Sequence, residues 1–536
     1  MEWFNRFLNL RVDWNNIQFK NKKRSSFCLL LKLVHSGYFA LIPENLDLDA
    51  HLAKYPLVDF GRFTQNERGI FSSKKLKFDE EKLIYLIGLI SSIPARNKDS
   101  ITQNGYVIIN ASYLQKFFKD YPDYLYYLIE TGILVSDNYY INGVKSRGYK
   151  FGSEYEGFDL KKYAYSRFEG KIEQVEEQAY NERTNQFEPN YLLDCPYLTY
   201  WYTQKGLKID WQKADQYSKQ VLNNKLTAGE SEWDVNRNTG TKKHPTTQYY
   251  AILHNIEAIN THDYKAKIDT NVHRLHSVLT NMQKDYRNFI SYEDKPLISI
   301  DITNCQPYLM NILYNPEFWK EDSTLELSIK DLPNNIKSLI NPSLSIMIGN
   351  TLSEIDTASL GDYRNKTSQG QIYEHIRDLS NVRFNLSLDR GDIKTMFYIV
   401  LFSKNGFYNQ PDARLKRLFS ELYPNVYKLV KVIKSQGHAT LACLLQAIES
   451  EIILHRCCKR IWEEGNSEIP IFTIHDSIVT TIENEEFVKR IMKEELTKAI
   501  GLPPTLTLEK WEEPKLKHQD ILAQINDSTT PNMSEE

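Results

Sequence analysis

The stretch PLISIDITNCQPYLM, residues 296–310, constrains the fold of this chain more than any other. Leu297, Ile298 and Ile300 are apolar and favour a buried β-strand, and the pattern becomes helical a few residues later. The strand leads directly into Asp301. Because a carboxylate at the end of a buried strand is costly unless it binds something, Asp301 is a candidate site residue. The alternative is that it only caps the helix that follows.

A second carboxylate lies in IPIFTIHDSIVT, residues 469–480. Two β-rich runs flank His475, Asp476 and Ser477, which predicts a tight hairpin with Asp476 at its tip. Carboxylate oxygens are ligands that Mg²⁺ prefers. Two aspartates at strand ends could therefore hold a pair of Mg²⁺ ions for phosphoryl chemistry, with Mn²⁺ as an alternative metal.

Composition excludes some classes of function. A formal net charge of -3 excludes a globally basic nucleic-acid coat but leaves room for a local basic channel. The six cysteines show neither CxxC spacing nor a disulfide-like framework, which is typical of a reduced, cytoplasmic protein. We find no signal peptide and no apolar run of membrane-spanning length, so a cytoplasmic protein without a membrane partner is expected.

Residues 104–151 have the order of a winged helix: helix, turn, helix and then a hairpin. Asn110 is suited to cap the first helix, and Lys145, Arg147 and Lys150 fall on the predicted wing. Such a unit either contacts nucleic acid or serves only for packing. Two segments poor in apolar residues, 170–190 and 225–245, are predicted to be linkers or flexible loops, and the tail, 519–536, is predicted to be disordered.

The segment DRGDIKTMFYIVLFSKNG, residues 389–406, predicts a helix with an unusual stripe. Arg390, Lys394, Tyr398 and Phe402 recur every four residues and share one face. Two cations followed by two aromatic rings suit a nucleoside triphosphate, with phosphates at one end and the base at the other. The alternative is an amphipathic helix whose rings face a core and whose cations are solvated.

The segment RLHSVLTNMQ, residues 274–283, resembles a segment of the family A DNA polymerases, the bacterial polymerase I group. In that family the segment contacts the primer–template. Thr280 stands where the family usually has proline, and Met282 where it has leucine. The positions that match are Arg274, Leu275, Ser277, Asn281 and Gln283.

Three further motifs of that family follow in the same order. Asp301 matches the motif A aspartate, with the main-chain carbonyl of Ile302 as a further metal ligand. Gln306 stands where the DNA polymerases carry a glutamate that helps to exclude ribose. Asp476 matches the motif C aspartate, and Ser477 replaces the usual glutamate, as in the single-subunit RNA polymerases.

The same resemblance assigns contacts to other side chains. The 389–406 helix matches motif B, with Phe402 in place of the usual second tyrosine. Lys394 and Arg390 would neutralise the leaving pyrophosphate, so Lys394 counts as catalytic with the two aspartates. The implied nucleotide contacts are Arg390, Lys394, Tyr398, Phe402 and Gln306. The implied template–primer contacts are Arg274, Ser277, Asn281, Gln283, Gln446 and His475.

The resemblance implies an α+β right-hand polymerase with palm, fingers and thumb, and an N-terminal winged-helix-like region. The implied divisions are an N-terminal domain 1–170 with the winged-helix-like segment at about 80–151, a linker and thumb-like region 171–270, palm 271–311, fingers 312–440, palm 441–518 and the tail 519–536.

The implied function is DNA-directed DNA synthesis by two-metal catalysis, with DNA primer–template and nucleoside triphosphates as partners. No carboxylate pattern in the first 240 residues resembles the family's proofreading exonuclease, so no proofreading is expected. The alternatives are a single-subunit RNA polymerase or primase, favoured by Gln306 and Ser477, and a catalytically idle DNA-binding replication initiator.

Overall fold

The computed structural model describes residues 39–56, 62–65, 71–74, 79–141, 146–164, 178–181, 186–189, 195–236 and 239–514. The predicted disordered tail and Lys145 of the predicted wing lie outside these ranges. None of the helices in the described part of the chain is both long and apolar enough to cross a bilayer.

Helices dominate the described part of the chain, and the strands are short. The helices are α1 (Leu48–Lys54), α2 (Glu80–Arg96), α3 (Ala111–Phe117), α4 (Tyr121–Glu130), α5 (Pro196–Thr203), α6 (Trp211–Ala228), α7 (Pro245–Asn260), α8 (Val278–Asn281), α9 (Lys284–Arg287), α10 (Cys305–Leu309), α11 (Asn334–Lys337), α12 (Pro342–Glu354), α13 (Gly361–Ser368), α14 (Ile372–Phe384), α15 (Arg390–Phe402), α16 (Arg414–Leu422), α17 (Pro424–Ile433), α18 (Thr440–Ser450), α19 (Lys459–Glu464) and α20 (Glu485–Ile500). The strands are β1 (Phe39–Pro43), β2 (Arg62–Gln65), β3 (Phe71–Lys74), β4 (Val107–Ile108), β5 (Leu134–Ser136), β6 (Gly148–Phe151), β7 (Leu160–Ala164), β8 (Gln178–Asn181), β9 (Gln186–Pro189), β10 (Leu207–Ile209), β11 (Lys267–Ile268), β12 (Leu275–His276), β13 (Ile290–Tyr292), β14 (Lys295–Ile302), β15 (Phe472–Ile474), β16 (Ser477–Thr481) and β17 (Leu506–Lys510).

A six-stranded antiparallel sheet holds the centre of the molecule. Its strand order is β10-β13-β14-β16-β15, and β17 pairs with β14 over Ile298–Ile302, beyond the two residues that pair with β13. The predicted strand is confirmed, because Leu297, Ile298 and Ile300 are all fully buried in β14. Successive residues of a strand point to opposite faces, so burial of both Leu297 and Ile298 means that both faces of the sheet are covered here.

Two tight turns fix the register of this sheet. Glu293 and Asp294 join β13 to β14 with φ of 49° and 65°, the left-handed conformation that two-residue hairpin turns require. His475 and Asp476 join β15 to β16, and His475 has φ of 56°. The hairpin predicted around Asp476 is therefore confirmed.

The helical run that carries Gln446 is long and irregular. α18 passes directly into a π-helical segment, Glu451–Cys458, and then into α19. The apolar face of this run packs into the main core. Its buried members are Leu441, Leu444, Leu445, Ile448 and Ile452.

The N-terminal part of the chain adds a second core. Its elements run α2, β4, α3, α4, β5 and β6, and the three strands pair in the order β4-β6-β5. The predicted helix, turn, helix and hairpin are thus present, and the Asn110 side chain accepts a hydrogen bond from the Ser112 N–H at 2.9 Å. Helix α4, YPDYLYYLIE, carries no lysine or arginine, and the wing residue Lys150 is paired with Glu156 at 3.0 Å. Nucleic-acid contact by this unit stays a prediction.

This N-terminal unit is not an appended module. Helix α2 packs along α7 and also touches α8, which leads into the central sheet. Tyr249 and Tyr250 of α7 are buried in the N-terminal core, and the Tyr250 hydroxyl accepts a hydrogen bond from the Gly157 N–H at 2.6 Å. The two cores therefore share α7.

The prediction that residues 225–245 form a linker or flexible loop is wrong. The Asn236 amide donates to the Asp99 carbonyl at 2.8 Å, and the Trp233 indole N–H donates to the Lys225 carbonyl at 3.0 Å. Lys243 is buried and paired with Asp99 at 3.2 Å. The polar residues that suggested a loop instead make hydrogen bonds and an ion pair. Asn236 and Lys243 both bind Asp99, in the segment after α2.

Because α2 lies between the N-terminal core and α7, truncating it should destabilise the protein. We expect Ile87→Ala, at a fully buried position of α2, to lower the free energy of unfolding by about 2–5 kcal/mol. Urea denaturation followed by circular dichroism measures this. The control Val382→Ala alters a side chain that is 86% exposed and should change little. Equal effects of the two substitutions would contradict the packing described.

Candidate active site

Asp301 and Asp476 lie next to each other on neighbouring strands. β14 pairs with β16 in a register that places Asp301 opposite Ser477, the residue after Asp476. On its other edge Asp301 lies opposite Thr507 of β17. Asp301 is thus on a central strand, while Asp476 is in the adjoining turn, and both side chains are half-buried. The two aspartates predicted to form one site are brought together.

Both aspartates resist ionisation. Burial, and then the negative charges of Asp476 and Glu509, raise the pKa of Asp301 well above the ordinary aspartate value. Burial, and then the charge of Glu449, raise the pKa of Asp476 in the same direction. The two carboxylates repel each other, and the nearby cations do not balance their charge. Two hard oxygen donors of this kind fit a divalent cation such as Mg²⁺.

Few further metal ligands lie near Asp301 and Asp476 among the residues that the structure describes. In the described part of the chain, no group of three or more His, Cys, Asp or Glu side chains is arranged to hold a metal ion. The Ile302 N–H donates to the Asp301 carboxylate, and whether the Ile302 carbonyl binds a metal stays a prediction. The buried Cys305 thiol donates a weak hydrogen bond to Glu449 Oε2 at 3.9 Å. Any metal would therefore be held chiefly by the two aspartates.

Glu449 is a buried carboxylate next to this pair, and sequence reasoning missed it. One of its oxygens, Oε2, accepts from Arg274 Nη2 at 2.5 Å and from Gln306 Nε2 at 2.7 Å. Its other oxygen, Oε1, is buried and has no hydrogen-bond partner in the part of the chain that the structure describes. Burial raises the pKa of Glu449, and the Arg274 charge opposes that shift. We call this arrangement of Glu449, Arg274 and Gln306 the Glu449 bracket.

A signal for Glu449 exists in the sequence. It lies four residues after Leu445 and three before Ile452, on the apolar stripe of the helical run. A carboxylate on a buried stripe needs a cationic or hydrogen-bonding partner. The identity of that partner could not be read locally, because Arg274 and Gln306 lie more than a hundred residues away in sequence.

The residues predicted to contact a template–primer lie in different environments. Arg274 and Gln306 face Glu449, as described, and Asn281, Gln283 and Gln446 are partly exposed. Ser277 is fully buried at the start of α8, where its N–H donates to Thr280 Oγ1 at 2.9 Å. The predicted contact of Ser277 with nucleic acid would need a rearrangement of this turn.

His475 is exposed at the tip of the hairpin, with its ring 6.5 Å from that of His276. Desolvation within the cleft, and then the positive charges of Arg274 and His276, lower the pKa of His475 to about 4. His475 is therefore neutral at physiological pH, and it can act as a hydrogen-bonding or stacking group but not as a cation.

Helix α15 presents the predicted stripe largely to solvent. Arg390, Lys394 and Tyr398 are exposed and Phe402 is half-buried, so the prediction of one shared face is confirmed. The Tyr398 and Phe402 rings are 5.0 Å apart. Arg390 Nε donates to Glu374 at 2.6 Å, whereas Lys394 has no hydrogen bond or ion pair in the described part of the chain. The alternative in which the rings face a core is wrong for Tyr398, which is 66% exposed.

Tyr373 of α14 connects this stripe to the aspartate pair. The Arg390 guanidinium lies 5.3 Å from the centre of its ring. Burial raises the pKa of Tyr373, and its phenol interacts electrostatically with Cys305, Arg390 and Asp476. The cationic end of the α15 stripe is therefore the end nearer the carboxylates. The chain has 34 tyrosines, and nothing in the local sequence distinguishes Tyr373 from the others.

Comparisons with known proteins add little. No family model matches the chain, and no curated protein matches it. Among solved structures, the POL domain of Pol1 from M. smegmatis, in complex with DNA primer-template and dNTP, matches over 60% of this chain and 71% of that chain. The sequence identity is 11% and the TM-score is 0.35. A similarity of that size establishes neither fold nor activity, so the function has to be argued from the residues themselves.

The raised pKa values make stability depend on pH and on metal. A carboxylate whose pKa is raised on folding binds protons that the unfolded chain does not hold, so stability falls as pH rises above the ordinary aspartate pKa. Asp301→Asn should remove part of this loss and, without metal near neutral pH, raise the free energy of unfolding by about 1 kcal/mol or more. Thermal unfolding across a pH series measures the effect.

Mg²⁺ provides the second half of that test. Added Mg²⁺ should stabilise the wild type more than Asp301→Asn, since the variant has lost a charged oxygen ligand. Asp378→Asn is the control, because that side chain is 64% exposed and paired only at the surface. A variant no more stable than wild type, with the same response to Mg²⁺, would show that Asp301 is not part of a strained carboxylate pair.

Proposed function

We propose that this chain is a template-directed nucleotidyltransferase, specifically a DNA-directed DNA polymerase that extends a primer with dNTPs and does not proofread. The observation that carries the proposal is the pairing of β14 with β16, which puts Asp301 beside Asp476. Support also comes from the exposed α15 stripe, whose Arg390 lies 5.3 Å from the ring of Tyr373, a residue that senses the charge of Asp476. These are the parts that nucleotidyl transfer requires: carboxylates for metal ions and cations for a triphosphate.

The proposed architecture is a right hand. The central sheet with 271–311 and 441–518 would form the palm, 312–440 with α15 the fingers, and 171–270 the thumb-like region. The N-terminal unit, with its winged-helix-like order of elements, would flank the palm, in keeping with the contact of α2 with α8.

In the proposed reaction, Asp301 and Asp476 would hold two Mg²⁺ ions. Bound there, such ions supply Lewis-acid activation of the primer 3′-hydroxyl and charge neutralisation on the triphosphate. Lys394 is exposed and has no hydrogen bond or ion pair in the described part of the chain. It would bind the phosphates as a point charge. Arg390 would exchange Glu374 for the triphosphate, and the Tyr398–Phe402 pair would face the base.

A single-subunit RNA polymerase or primase is a second candidate, and Ser477 favours it. The Ser477 side chain is buried and its hydroxyl donates to the Ile474 carbonyl at 2.9 Å. It therefore offers the metals no third carboxylate, which matches the RNA enzymes rather than the DNA enzymes. A catalytically idle initiator is disfavoured, because Asp301, Asp476 and Lys394, which has no ion pair among the described residues, have no evident structural use.

Replacing either aspartate tests the proposal. Asp301→Asn and Asp476→Asn should each reduce primer extension by about a thousandfold or more while preserving folding and template binding, because each removes a charged ligand of the metals. Single-turnover extension of a labelled DNA primer measures this, with Asp378→Asn as the control. Residual activity within about tenfold of wild type in either variant would refute the two-metal assignment.

The triphosphate contact is tested on α15. Lys394→Ala should raise the KM for nucleotide by about tenfold or more, because it removes an exposed point charge from the phosphate site. The matched control is Lys431→Ala, which removes an equally exposed lysine from α17. Arg390→Lys should also weaken nucleotide use if its guanidinium makes a forked contact. Unchanged nucleotide kinetics in both α15 variants would mean that this helix does not bind the triphosphate.

A further inference from the structure

The two polar ends of the Gln306 side chain are bonded or buried. Its amide nitrogen donates to Glu449 Oε2 at 2.7 Å, and its carbonyl oxygen Oε1 is buried with no hydrogen-bond partner among the described residues. The side chain as a whole is nevertheless partly exposed. Because its oxygen is buried and its nitrogen is bonded to Glu449, the exposed part of Gln306 is chiefly hydrocarbon.

Glu449 is able to hold Gln306 in this orientation. A carboxylate accepts hydrogen bonds and cannot donate them, so it selects the amide NH₂ and turns the carbonyl away from itself. Arg274 donates to the same oxygen at 2.5 Å, and its charge favours the ionised form of this buried carboxylate. Releasing Gln306 would leave that oxygen with one donor fewer in a buried site.

We propose that Glu449 is a positioning residue that fixes Gln306 as an apolar steric gate and thereby sets the preference for deoxyribonucleotides over ribonucleotides. This inference rests on the proposed polymerase function. A 2′-hydroxyl that reached the fixed Gln306 would meet hydrocarbon and lose its hydrogen bonds to water. A mobile Gln306 could instead offer its NH₂ or its carbonyl to that hydroxyl and accept the ribose.

Glu449 holds Gln306 although Phe402 stands where the resembling family has its second motif B tyrosine. Phe402 has no hydroxyl to offer, and the contact comes instead from Glu449, on the helical run that also carries Gln446. α10, which contains Gln306, packs directly against α18. The same bracket holds Arg274, so the side chains predicted to meet the sugar and the primer end share one buried anion.

The first test removes the charge on Glu449. In Glu449→Gln, the ratio of kcat/KM for a dNTP to that for the matching NTP should fall by about tenfold or more, mainly because the NTP becomes a better substrate. Glu449→Asp, which keeps the charge, should restore part of the ratio. Glu451→Gln is the matched control, since this carboxylate pairs with Arg456 on the same helical run and should leave the ratio unchanged.

The second test begins with substitutions of Gln306, which leave Glu449 in place and do not depend on the folding of Glu449 variants. Gln306→Glu cannot donate to Glu449 and is repelled by it, so the ratio should fall even though glutamate is the usual residue in the resembling DNA polymerases. Gln306→Met has similar length and no polar atom to offer a hydroxyl, so it should retain most of the ratio. In the Gln306→Met background, Glu449→Gln should have no further effect on the ratio.

The outcomes separate the two proposals. Templated extension by the wild type with a ratio that neither Glu449→Gln nor Gln306→Glu lowers would overturn the role of Glu449 and leave the polymerase assignment standing. Equal losses of dNTP and NTP efficiency in Glu449→Gln would likewise reduce Glu449 to a structural residue. Absence of any templated incorporation by the wild type would overturn the polymerase assignment and the gate together.

Discussion

The antiparallel pairing of β14 with β16 is the constraint on which the candidate site depends. Its register places Asp301 opposite Ser477 and so beside Asp476. Because side chains alternate between the faces of a sheet, a slip of one residue would send Asp301 to the opposite face and separate the carboxylates. Such a slip is opposed from both directions: the turn at His475 fixes β16 against β15, and β17 pairs with the other edge of β14.

The three carboxylates of this site differ in how far the surrounding protein balances their negative charge. Glu449 is paired within the protein with Arg274, whose charge opposes the effect of burial on the Glu449 pKa. Asp301 and Asp476 each make ionisation of the other less favourable. Lys284, which is paired with Glu509 at 2.7 Å, offsets only part of this effect. A carboxylate pair whose charge the surrounding protein does not balance is what a cation-binding centre requires, and it ties the stability of the central sheet to the chemistry proposed for it.

Local patterns predicted the pieces of this site well. The apolar run before Asp301, the β-rich runs around His475 and the four-residue spacing from Arg390 to Phe402 each have one short-range explanation, and each element formed as predicted. Glu449 and Tyr373 were missed because their roles come from contacts with distant segments. The 225–245 segment was misjudged for a related reason: polar side chains that look loop-like in sequence hydrogen-bond to the backbone of another segment, as Asn236 does with Asp99.

The most direct test of the central claim is single-nucleotide incorporation by the wild-type protein on an annealed DNA primer–template, with Mg²⁺ and with each dNTP and NTP supplied separately. The structure-based account predicts extension by the nucleotide that matches the template base, a preference for the dNTP, and no extension in the presence of a chelator. A folded protein that bound the primer–template and added no nucleotide, with either Mg²⁺ or Mn²⁺, would contradict it.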